Sequence, residues 1–133
     1  MKKRALLLVN VLVIGAVALG INTLVGGGNV VEQSDLKVLR EGDLVFQHTG
    51  GEQGRAVQLA TGSPWTHVGI LFKSAGKWMV YEAVGPVQST PLEEWTAHGD
   101  DGHWTAKRWA LADQKLDTDA LGKLKKAGDR FSG

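Results

Sequence analysis

The sequence predicts an α+β domain that follows an apolar N-terminal helix. Three patterns indicate this fold class: a β-hairpin signal in the middle of the chain, a capped helix start after it, and an apolar helical repeat near the C-terminus. The 133 residues suffice for one compact domain, and 43% hydrophobic with 22% charged residues is a typical globular composition. This composition argues against wholesale disorder.

Charge and cysteine content exclude several classes of function. The 15 Lys and Arg residues nearly balance the 14 Asp and Glu residues, so the net charge of +1 gives no electrostatic reason to expect a nucleic-acid partner. The chain contains no cysteine, which excludes disulfides, a thiolate metal site and a thiol nucleophile within these residues. We expect neither a cofactor nor a bound metal.

The N-terminal segment has the composition of a membrane-directed sequence. Residues 5–25 carry no charge and follow three consecutive basic residues. This pattern predicts either a secretory signal peptide, with an A-x-A site at 16–18, or an uncleaved anchor that makes the membrane a partner. Both place the remainder outside the cytoplasm, in the periplasm or at the cell surface. We therefore expect a signal or anchor at 1–25, a linker at 26–38 and a domain at 39–133.

The domain is predicted to begin with a strand and a helix. Leu44–Gln47 is rich in β-forming residues and follows a turn at Gly42. Residues 48–54 contain three glycines and predict a loop, after which 55–61 predicts a short helix. Gly62 lies where a left-handed helix C-cap is expected.

The hairpin signal consists of two strands joined by a short loop. Residues 66–72 and 78–83 predict the strands, and residues 73–76, which form the predicted loop, include a glycine. Val68, Ile70 and Phe72 alternate onto one face, which we expect to pack in the core.

Two helices and a strand are predicted after the hairpin. Thr90 is the expected N-cap of a short helix, with Pro91 at its first position and Glu93 closing a capping box. Residues 104–110 predict a strand. A last helix is predicted from apolar residues at helical spacing, namely Leu116, Ala120, Leu124, Ala127 and Phe131.

A histidine and a glutamate are expected to be neighbours in the hairpin. If Phe72 pairs with Lys77, the same register places His67 directly opposite Glu82, with Cβ atoms about 4.5–5.5 Å apart. A carboxylate beside an imidazole fixes the tautomer of the ring, as in a nucleophile–base–orienter triad. Gly69 lies on the same face and leaves space for a substrate. The simpler alternative is a structural cross-strand pair on an exposed face.

Three blocks in a fixed order carry a family resemblance. They are Gly-Asp-Leu-Val-Phe-Gln at 42–47, Ala-Thr-Gly-Ser-Pro-Trp-Thr-His-Val-Gly-Ile at 60–70 and Glu-Ala-Val-Gly-Pro-Val at 82–87. From about Leu39 to the C-terminus, the chain resembles the YiiX/YebB-like proteins, which are permuted papain-like cysteine amidases of the NlpC superfamily. The resemblance implies a papain-like fold, a small antiparallel sheet packed on helices, with its C-terminal part missing.

The resemblance also implies an extracytoplasmic thiol hydrolase that cleaves amide bonds in peptides, cell-wall fragments or N-acyl compounds. The family's histidine falls on His67 and its orienting residue on Glu82. Gln47 is a candidate oxyanion donor, with an ordinary strand residue as the alternative. Trp65 adjoins the site and is a candidate for lining a substrate groove. Gly69, which has no side chain, is a candidate for the place where the substrate approaches His67.

The nucleophile is expected outside this sequence. In permuted members of the superfamily, the nucleophilic cysteine follows the histidine at the start of a helix. Because this chain has no cysteine, we expect it to be a fragment that is inactive alone, or else a degenerate form. His67 without a thiol still binds a proton but forms no acyl-enzyme.

Two other functions remain open. The chain is alternatively a non-catalytic, membrane-tethered module that binds acyl or cell-wall ligands, or a lipid acyltransferase or esterase on the same core. Ser63 next to Pro64 is more typical of a turn than of a nucleophile. The histidines and aspartates of 98–103 lie in a glycine-containing segment that predicts a solvated loop rather than a metal site.

A papain-like core needs its nucleophile-bearing helix against the sheet. Residues 26–133 alone should therefore be marginally stable and expose apolar surface. Thermal unfolding in the presence of a hydrophobic dye tests this expectation. Dye binding below the transition supports it, and a cooperative transition without dye binding contradicts it.

Overall fold

The computed structural model describes residues 21–27 and 33–132. In chain order its elements are β1 (Ile21–Gly27), α1 (Gln33–Val38), β2 (Leu44–Gln47), α2 (Gly51–Thr61), β3 (His67–Ser74), β4 (Lys77–Ala83), β5 (Val87–Pro91), α3 (Leu92–Ala97), a 3₁₀ turn (Asp100–Gly102), β6 (Trp104–Trp109), α4 (Ala112–Lys115) and α5 (Thr118–Asp129). The predicted α+β class is confirmed.

The strands form one antiparallel sheet in the order β1-β6-β2-β3-β4-β5. Strand β2 lies between β6 and β3, and each β2 residue pairs with one residue of each neighbouring strand. Gln47 lies beside His67 on one side and Trp104 on the other. Because alternate residues of a strand share a face, these pairings place one set of side chains on what we call the front face. This set comprises Val45, Gln47, His67, Leu71, Val80, Glu82, Thr90, Trp104 and Ala106.

The main hydrophobic cluster lies on the front face. Strands β2, β3, β4 and β6 supply most of it, and α3 with the end of α1 covers it. Its buried members are Leu39, Val45, Leu71, Val80, Leu92, Trp95, Trp104 and Ala106. Burial of two tryptophans here supplies much of the apolar area removed from water.

The prediction that Val68, Ile70 and Phe72 pack in a core is confirmed for Val68 and Phe72, whereas Ile70 is half-buried. Val68 and Phe72 are buried on the back face, at 7% and 4% exposure, but they belong to a separate layer. Phe72 meets the ring of Tyr81 edge-on, and the Tyr81 hydroxyl donates a hydrogen bond to Asp129 of α5. Helices therefore cover both faces, so alternation alone does not identify the main core.

The hairpin turn is shorter than predicted. Ala75 and Gly76 form a two-residue turn with φ values of 48° and 78°, as in the turns that favour hairpins. Strand β3 therefore pairs Gly69, rather than His67, with Glu82. The predicted register is wrong by two residues, but a shift of two leaves every side chain on its predicted face.

Helix α2 begins four residues earlier than predicted. It starts at Gly51, so most of the segment predicted as a loop is helical. The predicted cap at its other end is confirmed, because Gly62 is left-handed, with φ 64° and its N–H bonded to Gln58 O at 2.8 Å.

Strand β5 is absent from the sequence prediction. It pairs with β4 and continues directly into α3, whose N-cap is Pro91 rather than Thr90. The predicted capping box is therefore wrong. Pairing with Val80 directs the Thr90 side chain to the front face, where its hydroxyl has a different partner.

The two ends of the chain also differ from the prediction. Strand β1 pairs with β6 and includes Gly26 and Gly27, which the sequence predicts as part of a linker. The linker region also contains α1. Residues 1–20, most of the predicted signal or anchor, lie outside the described residues. Within the described ranges, no helix is both long and apolar enough to cross a membrane.

The predicted C-terminal helix is confirmed as α5, which begins at Thr118, and the short helix α4 before it was not predicted. Asp117 caps α5 by accepting a hydrogen bond from the Ala120 N–H at 2.8 Å. The apolar stripe is only partly covered, since Leu124 and Phe131 are 37% and 68% exposed.

Replacing Ala75 with glycine should stabilise the protein. Ala75 has a φ of 48°, a conformation that costs a residue with a Cβ roughly 1 kcal/mol and costs glycine little. Urea unfolding of Ala75→Gly should show a free energy of unfolding higher by about 0.5–1 kcal/mol. The matched control, Gly76→Ala, should be less stable than the parent. A destabilised Ala75→Gly variant would contradict the assigned turn.

Candidate active site

His67 and Glu82 meet on the front face at one end of the sheet. His67 is the first residue of β3, and Glu82 lies next to the last residue of β4. Their backbones are diagonal rather than opposite, yet His67 Nε2 lies 2.6 Å from Glu82 Oε2. The side chains are 14% and 4% exposed, so the alternative of an exposed surface pair does not describe this site.

The Glu82 carboxylate accepts hydrogen bonds from four side chains. Oε2 accepts from His67 and from the Trp95 indole N–H, the latter at 2.9 Å. Oε1 accepts from the Thr90 hydroxyl at 2.5 Å and from Gln88 Nε2 at 3.3 Å. These donors occupy about as many lone-pair sites as a carboxylate offers.

The donors determine the charge of Glu82. Burial by itself raises the pKa of the Glu82 carboxyl, but hydrogen bonds from His67, Thr90 and Gln88, together with the charge of His67, outweigh burial and lower the pKa from 4.5 to about 2. Glu82 is therefore ionised at neutral pH, although it is almost inaccessible to water.

The orientation of His67 identifies the nitrogen that is available for chemistry. Because an ionised carboxylate only accepts hydrogen bonds, the His67 Nε2 that contacts it must carry a hydrogen. In the neutral ring, Nδ1 then has the free lone pair and is the atom that can accept a proton. The Trp95 ring lies 6.0 Å from the imidazole, tilted by 31°, and covers one side of the pair.

Gln47 lies next to His67 in the β2–β3 ladder. Its side chain is buried at 2% exposure, so the alternative of an ordinary exposed strand residue is wrong. Its Oε1 is enclosed without a hydrogen-bond partner, as is Nε1 of the adjacent Trp104. Gln47 is thus a backbone neighbour of His67, with its side chain buried on the front face.

Trp65 and Gly69 have different surroundings. Trp65 is half-buried two residues before His67. At Gly69, an added Cβ would lie 2.1 Å from Val80 Cγ1. Val80 therefore fills the space that the sequence suggested was open to a substrate, and Gly69 permits close packing instead.

The other polar candidates do not form a second site. Ser63 Oγ accepts a hydrogen bond from the Trp65 N–H at 3.2 Å, as expected for a turn. Residues 100–102 form the 3₁₀ turn, and the exposed Asp100 carboxylate lies 3.9 Å from His48 Nε2. No group of three His, Asp or Glu side chains that could bind a metal ion occurs in the part of the chain that the structure describes.

Asp43, from the first family-like block, has a structural role. It is 1% exposed and accepts hydrogen bonds from Arg108 Nε and a terminal guanidinium nitrogen at 2.8 and 2.7 Å. The Arg40 backbone N–H donates a third, at 2.8 Å. This buried ion pair joins the turn before β2 to β6 and lies away from His67.

Thr90, Trp95 and Gln88 contact the site but were not expected there from the sequence. The sequence predicts Thr90 as a helix cap and does not predict the strand that carries Gln88. A signal existed for Trp95, because a buried indole N–H usually has a hydrogen-bond partner.

The chain resembles known proteins in both sequence and structure. A family model described as permuted papain-like amidase enzyme, YaeF/YiiX, C92 family, matches residues 38–124. Uncharacterized protein YiiX of Escherichia coli K12 is 38% identical over 92 residues, which cover 69% of this chain and 44% of YiiX. A crystal structure titled as metalloprotein yiiX from Escherichia coli O157:H7 superposes with a TM-score of 0.62 at 38% identity, covering 71% of this chain and 51% of that one. The chain thus spans about half the length of these relatives.

The protein should lose stability in acid through Glu82. Because its pKa is depressed in the folded state, its contribution is present above the unfolded value of 4.5 and is lost as the pH falls toward about 2. The difference corresponds to roughly 3 kcal/mol. Urea unfolding between neutral pH and about pH 3 should record the larger part of this loss.

Glu82→Gln should be less stable than the parent at neutral pH and should lose less stability below the unfolded pKa. Glu94→Gln, which changes an exposed glutamate of α3, is the control and should follow the parent curve. Identical pH dependence in the parent and in Glu82→Gln would contradict the assigned ionisation.

Proposed function

Because the chain belongs to the permuted papain-like amidase family of the YaeF/YiiX type, we propose that it supplies the general base and the orienting carboxylate of a thiol amidase. One observation carries this proposal. His67 Nε2 contacts the buried, ionised Glu82 at 2.6 Å, which leaves Nδ1 as the proton acceptor. In this proposal His67 is the base and Glu82 is the orienter of a nucleophile–base–orienter triad.

The proposed reaction needs a cysteine from outside this sequence, since none is present here. His67 Nδ1 takes the thiol proton, and the thiolate attacks the amide carbonyl carbon. The imidazolium then gives that proton to the leaving amine, and an acyl thioester remains. Water, deprotonated at Nδ1, hydrolyses the thioester and releases the acid and the thiol.

Three further residues are proposed to assist this reaction. Glu82 keeps the imidazole in one orientation and stabilises its protonated form. Gln47, directly beside His67, donates a hydrogen bond to the oxyanion together with a backbone N–H at the start of the nucleophile's helix. Trp65 lines the substrate groove.

The substrates and the location are proposed from the sequence. Residues 5–20, ahead of β1, are uncharged and follow a basic start, which favours an extracytoplasmic domain that is secreted or anchored at the membrane. Amide bonds of cell-wall peptides or N-acyl compounds are the proposed substrates in that compartment.

A non-catalytic binding module is the second candidate. The specific observation in its favour is the absence of cysteine from all 133 residues. In this case the site around His67, Gln47 and Trp65 would bind an acyl or cell-wall ligand without cleaving it.

Metal-dependent chemistry does not fit the residues of this site. The related Escherichia coli structure is titled a metalloprotein. Here His67 and Glu82 provide two side chains, and the carboxylate already accepts hydrogen bonds from four donors. No third His, Asp or Glu joins them in the described ranges, so we derive no step through a metal.

A chimera tests the proposed base. Residues 38–124 would replace the matching part of Escherichia coli YiiX, which supplies the remainder of the fold. Two readouts are the cleavage of a panel of N-acyl amides, acyl esters and cell-wall peptides, and the alkylation rate of the cysteine by iodoacetamide at mildly acidic pH. In the chimera, His67→Ala should reduce both by about 100-fold or more.

His98→Ala, a change at an exposed histidine, is the matched control and should leave both rates near those of the unchanged chimera. Equal rates in His67→Ala and His98→Ala would contradict the proposed base. Ligand binding by the original chain, with no cleavage by a folded chimera, would instead favour the binding module. Preference for esters over amides in the panel would identify an esterase.

A further inference from the structure

We propose that Trp95 is a positioning residue of this site, whose indole N–H occupies a lone pair of Glu82 Oε2 and so keeps the shared hydrogen on His67 Nε2. This inference rests on the proposed function, because His67 Nδ1 is a useful base only when Nε2 carries that hydrogen. It concerns a residue that contacts Glu82 and not the reacting atoms.

The geometry that supports the inference is the sharing of one oxygen. Oε2 of Glu82 accepts from His67 Nε2 at 2.6 Å and from Trp95 Nε1 at 2.9 Å. An indole nitrogen is a donor only and cannot accept a hydrogen bond. A hydrogen placed on Oε2 would therefore compete with the indole N–H for the same oxygen, and the contact favours the unprotonated carboxylate.

The position of Trp95 also helps to fix the orientation of the Glu82 carboxylate. Trp95 is fully buried in α3, and its ring packs near the imidazole. Thr90, immediately before α3, donates to the other oxygen of Glu82. The β5–α3 junction therefore contacts both oxygens and resists rotation of the carboxylate about its terminal bond.

Packing alone does not explain the indole contact. Trp104 is 1% exposed on the same face, and its Nε1 is enclosed without a partner. The fold thus contains two tryptophans of nearly equal burial, of which one has a hydrogen-bonded indole and the other does not. This difference provides a matched control for removing the Trp95 N–H.

The experiment compares Trp95→Phe with Trp104→Phe in this chain. Both changes remove the same atoms from buried positions, but only Trp95→Phe removes a donor to Glu82. The ¹³C resonance of the Glu82 carboxyl is followed during a pH titration, and the proton resonance of His67 Nε2–H is recorded at neutral pH. Among the described side chains that contact this carboxylate, His67 is the other ionisable group.

Trp95→Phe should raise the Glu82 titration midpoint by about one to two pH units, the size expected for one hydrogen bond to a charged group. The separate Nε2–H resonance of His67 should weaken or disappear. Trp104→Phe should leave both readouts at the parent values. Equal effects of the two variants, or no effect of Trp95→Phe, would overturn the proposal.

Two further variants apply if Trp95→Phe does not fold. Benzothienylalanine at position 95 keeps the bicyclic shape and replaces the N–H with sulfur, so it should reproduce the shift in the Glu82 midpoint. Thr90→Val removes the donor to Oε1 and should also raise the midpoint, whereas Thr90→Ser keeps a hydroxyl and should restore it. An unchanged midpoint with benzothienylalanine would overturn the proposal.

The outcomes separate this inference from the proposed function. If Trp95→Phe shifts the Glu82 midpoint but His67→Ala leaves the reactivity of the cysteine in the chimera unchanged, the positioning role is retained and the amidase proposal is rejected. If cleavage and cysteine alkylation in the chimera depend on His67 but the two tryptophan variants have equal effects, the amidase proposal is retained and the positioning role is rejected.

Discussion

The buried carboxylate of Glu82 is the constraint on which the front face of this protein depends. An ionised group that is 6% exposed is costly unless donors replace the water it has lost. Here the donors come from β3, β5 and α3, through His67, Thr90 with Gln88, and Trp95. Satisfying one charge therefore requires three elements to pack against β4 in a single arrangement. The same contacts that stabilise the fold also orient the site.

The direction of these contacts determines the chemistry available. His67 uses Nε2 toward Glu82, so its reactivity is directed through Nδ1. A second buried ion pair among the described residues, Asp43 with Arg108, has both carboxylate oxygens bonded to the guanidinium. The two buried carboxylates thus illustrate a structural and a candidate catalytic use of the same group, distinguished by their partners.

Much of the central sheet could be predicted from the sequence, and the two-residue error in the hairpin shows why. Residues 44–47, 67–74 and 77–83 have strong β patterns, and a shift of two preserves the face of His67 and Glu82. The turn itself was not predictable, because Ala75 is unusual at positive φ. Strand β5, Val-Gln-Ser-Thr-Pro, has too few apolar residues for a period to emerge. It pairs with β4 and donates hydrogen bonds to Glu82 through Gln88 and Thr90, which are tertiary contacts that local patterns do not contain.

The central claim is that the carboxylate of Glu82 fixes His67 with its hydrogen on Nε2 and its lone pair on Nδ1. A long-range ¹H–¹⁵N spectrum of the chain, recorded where the imidazole is neutral, measures this directly because the two ring nitrogens have different shifts when protonated and unprotonated. We predict a protonated Nε2 and an unprotonated Nδ1 for His67. A ring that carries its hydrogen on Nδ1, or an equal mixture of the two tautomers, would contradict the account.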